Sequence, residues 1–195
     1  MERTRRLASI LAAAGIAAMS LSATPAANAA QLESGTFDDS FSNTFDECGY
    51  DIVEEAHIVG RYTISKGTKK TGGEFFRVHQ QAAYEGTFTN VATGAYFTES
   101  WKTNFREMPA TIVDEAGPVV TYQTKESGVW DVLRDSSGKV RYRSAGNLVF
   151  EYVFDTGGDG APGGGEFLSE EFIRTSGHWT TFDADFCAIV DDLIG

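Results

Sequence analysis

Apolar and polar residues alternate with a period of two over most of the chain beyond residue 50, the spacing of half-buried β-strands. Ile58, Gly60, Tyr62 and Ile64 fall on one face of a first strand, and His57, Val59, Arg61 and Thr63 on the other. Phe76, Val78, Gln80, Ala82 and Tyr84 share a face of a second strand, 74–84. In 96–106, Phe97, Glu99, Trp101, Thr103 and Phe105 point one way, while Thr98, Ser100, Lys102, Asn104 and Arg106 point the other. Separate strands are expected at 119–126 and 129–134, then one in which Val140, Tyr142 and Ser144 oppose Arg141 and Arg143. Leu148, Phe150, Tyr152 and Phe154 form the strongest apolar stripe, and a last strand covers 166–176.

Turn chemistry separates these runs. The basic, Gly/Thr-rich stretch 66–73 suits a hairpin tip, and Met108-Pro109 and Gly117-Pro118 punctuate the middle of the chain. In 89–94, Asn90 is placed to fold its side chain onto the following backbone, and Gly94 to supply a positive φ. Asp135-Ser136-Ser137-Gly138 is a tight hairpin signal, and 155–165 is a long glycine-rich loop. The polar segment 31–40 reads as loose. Only at the C-terminus does the period change. Phe186, Ile189, Val190 and Leu193 recur at helical spacing behind an N-cap at Asp183.

Eight or nine strand-length runs at hairpin spacing, with no βαβ pattern, predict an all-β fold. The short links favour a closed antiparallel β-barrel of about eight strands with a short C-terminal helix, since closure removes exposed edges. A β-sandwich is the alternative.

Residues 1–29 read as a secretory signal peptide. Arg3, Arg5 and Arg6 precede an apolar run from 7 to 21, and Ala27-Asn28-Ala29 forms an A-x-A cleavage site. The run is too short to span a bilayer comfortably, so 30–195 is expected to be a single secreted, extracellular β-barrel domain with no membrane association after cleavage. The full chain carries −12. The signal holds three arginines and one glutamate, so its removal leaves the remainder more acidic still. Such a surface repels phosphate backbones, which makes nucleic acid a poor partner. Cys48 and Cys187 flank the domain, and export to an oxidising compartment predicts that they pair as a disulfide.

Candidate chemistry is sparse. Glu99 stands among Phe97, Trp101 and Phe105, where a carboxylate would be desolvated and its pKa raised. It reads either as a ligand-orienting or acid group, or as a structural residue bonded to a neighbouring strand. His57, His79 and His178 lack the i, i+2 or i, i+4 spacing of a metal pair. Asp155, Asp159 and Glu166 flank the glycine-rich loop without any recognised calcium-loop spacing. No metal site and no cofactor are expected. There is no G-x-S-x-G, and a disulfide would remove both thiols as nucleophiles. Fourteen Phe, seven Tyr and three Trp supply bulky strand faces, which in a small barrel fill the interior or line a pocket for one small ligand.

The Thr89–Gly94 turn, with Cys48-Gly49 near the start and Phe186-Cys187-Ala188 near the end, resembles small secreted actinobacterial β-domain proteins of uncharacterised function. Those usually have proline after the turn asparagine, where this chain has Val91. The resemblance implies a β domain tied near its ends and no particular activity. A barrel of this size is also similar to lipocalin and allene-oxide-cyclase-like folds, at the level of fold only. The lipocalin G-x-W signature is missing.

Three functions stay open. One is a non-enzymatic protein holding a small apolar molecule through Phe97, Glu99, Trp101, Phe105, Phe150 and Tyr152. Another is an isomerase- or cyclase-type enzyme using the same cavity. The third is an extracellular interaction domain with a filled core. The absence of a catalytic signature leans away from an enzyme.

Overall fold

The protein is described by a computed structural model covering residues 31–66, 76–107, 115–116, 118–158 and 165–195. The signal segment, the tip of the 66–73 turn, Met108-Pro109, Gly117 and Asp159 in the glycine-rich loop lie outside these residues.

Among the described residues the fold is all-β with one short helix. Strands β1 (Gln31–Phe45), β2 (Ile52–Lys66), β3 (Phe76–Asn90), β4 (Tyr96–Glu107), β5 (Glu115–Ala116), β6 (Val119–Asp135), β7 (Val140–Asp155) and β8 (Glu166–His178) precede helix α1 (Phe186–Ile194). All pairings are antiparallel, in the order β1-β2-β3-β4-β6-β7-β8, with the two-residue β5 on β6. Each long strand thus lies beside the next long strand in sequence, a meander.

The sheet is open, so the expected closed barrel does not form. Among the described residues β1 pairs only with β2, and β8 only with β7. Register shifts against β7 leave Leu168 and Ile173 of β8 as extra residues, and such irregularities oppose a further partner along an edge. An open sheet, or a sandwich-like arrangement, fits the pairing.

Two strand assignments differ from the sequence reading. The segment 31–40 is not loose but forms most of β1, in register with β2 from Gln31 to Phe45. As an edge strand it needs few apolar positions, which hid it. Phe37 is one of them, and its ring covers Gly60, where an added Cβ would stand 2.2 Å from it. The runs 119–126 and 129–134 are one strand, β6, carrying a bulge at Trp130.

Helix α1 lies over one end of the inner face, the face that it covers. Ile189, Val190 and Ile194 are buried against Ile52, Phe88, Phe97 and Leu133, with Phe45, Tyr142, Phe186 and Leu193 around them. Phe88 and Phe97 stack with ring centroids 4.8 Å apart. Side chains from β1 to β7 therefore meet one nine-residue helix. A helix of that length is ~13 Å long, whereas five flat strand spacings span ~24 Å, so the sheet curls around the helix.

The N-cap is Asp185 rather than Asp183, its side chain accepting from Cys187 N at 3.0 Å. Cys48 and Cys187 are bridged, with Cα atoms 5.2 Å apart. Tyr50 donates to Asp191 at 2.8 Å, Arg141 pairs with Asp192 at 2.8 Å, and Asn90 Nδ2 donates to the Ile194 carbonyl at 3.2 Å. Asn90 Oδ1 meanwhile accepts from Ala92 and Thr93 N, and Gly94 has φ 72°, so this turn forms as its sequence predicts. Asp135 holds its hairpin in the same way through Ser137 and Lys139 N.

Small residues line up along one cross-strand row. Gly60, Ala82, Thr103, Gly128, Gly146 and Gly177 are successive register partners. An added Cβ would stand 2.0 Å from Lys102 O at Gly128, and 2.2 Å from Ser176 O at Gly146. Neighbouring backbones leave no room for a side chain there, the arrangement by which a sheet turns a corner.

Two outcomes test this fold. Replacing Gly128 with alanine is expected to lower stability by about 2 kcal/mol or more, since the colliding atoms are backbone; urea denaturation against Lys125→Ala as a surface control measures it. Reducing the Cys48–Cys187 bridge, which joins positions 139 apart, is expected to lower stability by up to about 5 kcal/mol. Paired melts with and without reductant measure that.

Candidate functional site

Beyond the helix, the inner face carries acids and aromatic rings. Phe97, Glu99, Trp101, Phe105 and Glu107 alternate onto it from β4, whose pairing with β3 runs without a break. Cross-strand partners extend the face to Tyr84 and Glu54 on one side, and to Thr124, Glu126, Phe150 and Tyr152 on the other. Glu170 and Phe172 of β8 continue it opposite Tyr152 and Phe150.

The bulge in β6 decides what joins this face. Up to Gly128 the even-numbered residues point inward; Trp130 is the extra residue, and beyond it the odd-numbered ones do. One inserted residue reverses the alternation. Leu133 therefore pairs with Glu99, and Asp131 with Ser144.

Glu99 and Asp131 meet in a carboxyl pair. Burial, then the neighbouring Asp131 charge, raises the Glu99 pKa well above the usual carboxylate range, and its hydrogen bond to Asp131 and the Glu54 charge act in the same direction. Asp131 is also raised by burial, but hydrogen bonds from Thr181 and Glu99 pull it back. Glu99 is therefore the member that holds the proton and donates it to Asp131. Thr181 donates to Asp131 and shares a 2.6 Å bond with the buried Ser144, whose Oγ also accepts from Thr180 and Thr181 N. On the other flank Tyr84 donates to Glu54 at 2.5 Å and stacks on Trp101, centroids 5.3 Å apart. A protonated carboxyl fixed among rings can donate a hydrogen bond to a bound group or pass it a proton.

A second cluster lies further from the helix. Glu107 pairs with Thr124, and its Oε2 accepts from Val78 N at 2.7 Å. Burial outweighs that bond and the Arg77 charge, and pushes its pKa up to about 8. Burial and the Glu170 charge push Glu126 up to about 7. Tyr122 and Tyr152 stack here with centroids 5.7 Å apart.

The six residues singled out from sequence share this one face but not one environment. Phe97 belongs to the core under the helix, 1 % exposed. Glu99 and Trp101 lie together at the carboxyl pair, while Phe105, Phe150 and Tyr152 surround the second cluster. Sequence reading missed Asp131, Glu107 and Glu126. The first needs the bulge to reach the face, and the other two show as inward only once strand pairing is known. The Trp130-Asp131 break in alternation within 119–135 was the available signal.

Other candidates lie elsewhere. His57 bonds Asp38 at 2.7 Å and His79 bonds Asn104 at 2.6 Å, both on the outer face. Asp155 is occupied with Gly157 N. Among the described residues no group of three or more His, Cys, Asp or Glu is arranged to hold a metal ion, and no helix is long and apolar enough to cross a membrane. Compared with protein-family models, with curated proteins and with solved structures, the chain matches none.

The raised carboxyls set the pH dependence of folding. An acid whose pKa is higher in the folded state binds more protons folded than unfolded, so its stabilising effect is complete below the unfolded value and lost as pH rises through the folded one. For Glu107 and Glu126 the window runs from about 4.5 to about 8 and 7 respectively. Stability is expected to fall from pH 5 to pH 8, at up to about 1.4 kcal/mol per pH unit per group, and Glu107→Gln should flatten the slope. Urea midpoints across this range test it.

Proposed function

We propose that this is an exported protein that binds a small, largely apolar ligand against its inner face, with the Glu99–Asp131 pair as the fixed polar contact. The observation that carries this reading concerns Glu99, Glu107 and Tyr152. They are ringed by protein closely enough to shift their titration, yet each keeps accessible surface. Groups both enclosed and partly accessible are what a ligand recess would present, in contrast to the closed core beneath α1. Rings of Trp101, Phe105, Phe150 and Tyr152 would supply the apolar contact, at about 25 cal/mol per Å² before entropy losses. The carboxyl pair would orient the ligand through a hydrogen bond. The disulfide suits an oxidising extracellular compartment, which supports export.

A second reading rests on the same pair. Two carboxyls sharing one proton form an acid and a base side by side, the equipment of an isomerase or cyclase. Turnover of a bound compound, lost in Glu99→Gln while binding persists, would favour it.

Dye displacement by fatty acids, terpenoids and small aromatics tests the binding reading. Trp101→Ala is expected to weaken the best ligand by about tenfold or more, equal to roughly 1.4 kcal/mol. Glu99→Gln should change selectivity among polar head groups more than affinity for the apolar body. Binding indifferent to both substitutions, in variants with native circular dichroism, would remove this site.

A further inference from the structure

The cations of this acidic chain gather on the outer face of the sheet. His79, Arg106 and Lys125 are successive register partners on β3, β4 and β6, and Arg174 ends the same row on β8 beyond Val149. Arg61 on β2 and Lys102 on β4 stand on the same face in the rows that follow. Arg61, Lys102, Arg106 and Lys125 are exposed. Among the described residues none of these four forms an ion pair; the pairs are His57 with Asp38, and Arg141 with Asp135 and Asp192. Like charges set directly opposite each other, as Arg106 and Lys125 are, destabilise a sheet. The acids bordering the patch do not relieve them. Asp38 bonds His57, Glu151 accepts from Gln123 at 3.3 Å, and Glu85 lies opposite Ser100.

A row of neutral groups runs beside the row of cations. Arg61, Gln81, Asn104, Ser127 and Asn147 are its register partners, two residues along each strand. Arg61 Nε donates to Gln81 Oε1 at 2.8 Å, and His79 Nε2 donates to Asn104 Oδ1 at 2.6 Å. These bonds use the amide oxygens and leave each NH2 group to donate elsewhere. The sheet curls toward the helix, so this face is convex. A small molecule needs a concave pocket, whereas a convex strip suits an extended chain lying across the strands.

We infer that this strip binds a linear acidic polysaccharide, with Arg106 and Lys125 on the sugar carboxylates and Gln81, Asn104 and Ser127 on the sugar hydroxyls. The cations recur at one strand spacing, ~4.8 Å, of the order of one sugar ring, so consecutive acidic sugars can each meet one. The described residues of both rows include no Phe, Tyr or Trp, which removes the stacking that single-stranded nucleic acids use. The net charge of −12 does not prevent binding, because charges beyond ~8 Å are largely screened at physiological salt. This surface is separate from the inner-face ligand and stands or falls without it.

Polygalacturonate, its methyl-esterified form and polyphosphate of similar length separate charge from sugar recognition. Biolayer interferometry with the folded, disulfide-bonded protein in about 50 mM salt is expected to show polygalacturonate binding about tenfold or more tightly than the esterified polymer. The double variant Arg106→Gln/Lys125→Gln should lose about tenfold or more, while Lys139→Gln/Arg143→Gln, the same change in charge elsewhere, should stay within about twofold. Asn104→Ala should weaken polygalacturonate and leave polyphosphate unchanged. No binding of polygalacturonate, or equal binding of its esterified form, would overturn the inference. Polyphosphate binding as tightly as polygalacturonate would overturn the assignment to a sugar polymer. Binding that survives Arg106→Gln/Lys125→Gln in a variant with native circular dichroism would overturn the placement on this strip.

Discussion

A single sheet must cover one of its faces, and among the described residues one nine-residue helix does so. That shortage shapes the rest of the molecule. The helix covers one end of the inner face and gathers Ile52, Phe88, Phe97 and Leu133 into a closed core. Beyond it the row from Gly60 to Gly177 brings backbones close at Gly128, Gly146 and Gly177, where no side chain stands between them. The inner face there packs the buried Tyr84, Thr124, Leu148 and Phe150 around the acids Glu99, Glu107 and Glu126. Burial in this packing raises the pKa values of these acids, which keep part of their surface accessible.

The two ends of the inner face divide the work of stability and chemistry. The helix end is tied by the bridge to Cys48, by Tyr50 and Arg141 to Asp191 and Asp192, and by Asn90 to the last helical carbonyl. Those contacts hold strand ends around the helix, while the middle of the sheet packs Tyr84, Leu148 and Phe150 alongside acids. Glu99, Asp131, Glu107 and Glu126 occupy that middle, where close-packed apolar residues would have been more stabilising. Groups placed against stability in this way mark functional positions more often than structural ones.

Much of the fold was legible because its devices are local. Alternation gave the strands, Asn90 and Gly94 one turn, Asp135 and Gly138 another, and the spacing from Phe186 to Leu193 the helix. What failed was non-local. β1 escaped notice because an edge strand exposes most of its side chains and so lacks an apolar stripe. Closure was expected from short links, but links do not dictate whether the first and last strands meet. Trp130 hid both the continuity of β6 and the inward turn of Asp131, since a bulge looks in sequence like the end of a strand. Of the candidate site, Glu99 and Trp101 stood out as a carboxylate among rings, whereas Glu107, Glu126 and Thr124 gain meaning only from the strands opposite them.

Direct titration of the side-chain carboxyls bears most closely on the claim that the inner face holds a cluster of desolvated acids. Carbon-detected NMR of glutamate- and aspartate-labelled protein, assigned with Glu107→Gln and Glu126→Gln, would follow each carboxyl carbon from pH 3 to pH 9. The account predicts midpoints near 8 for Glu107 and near 7 for Glu126, with Glu99 raised well above the usual carboxylate range. Titration of every carboxyl below pH 5, in the normal range for solvated acids, would contradict it.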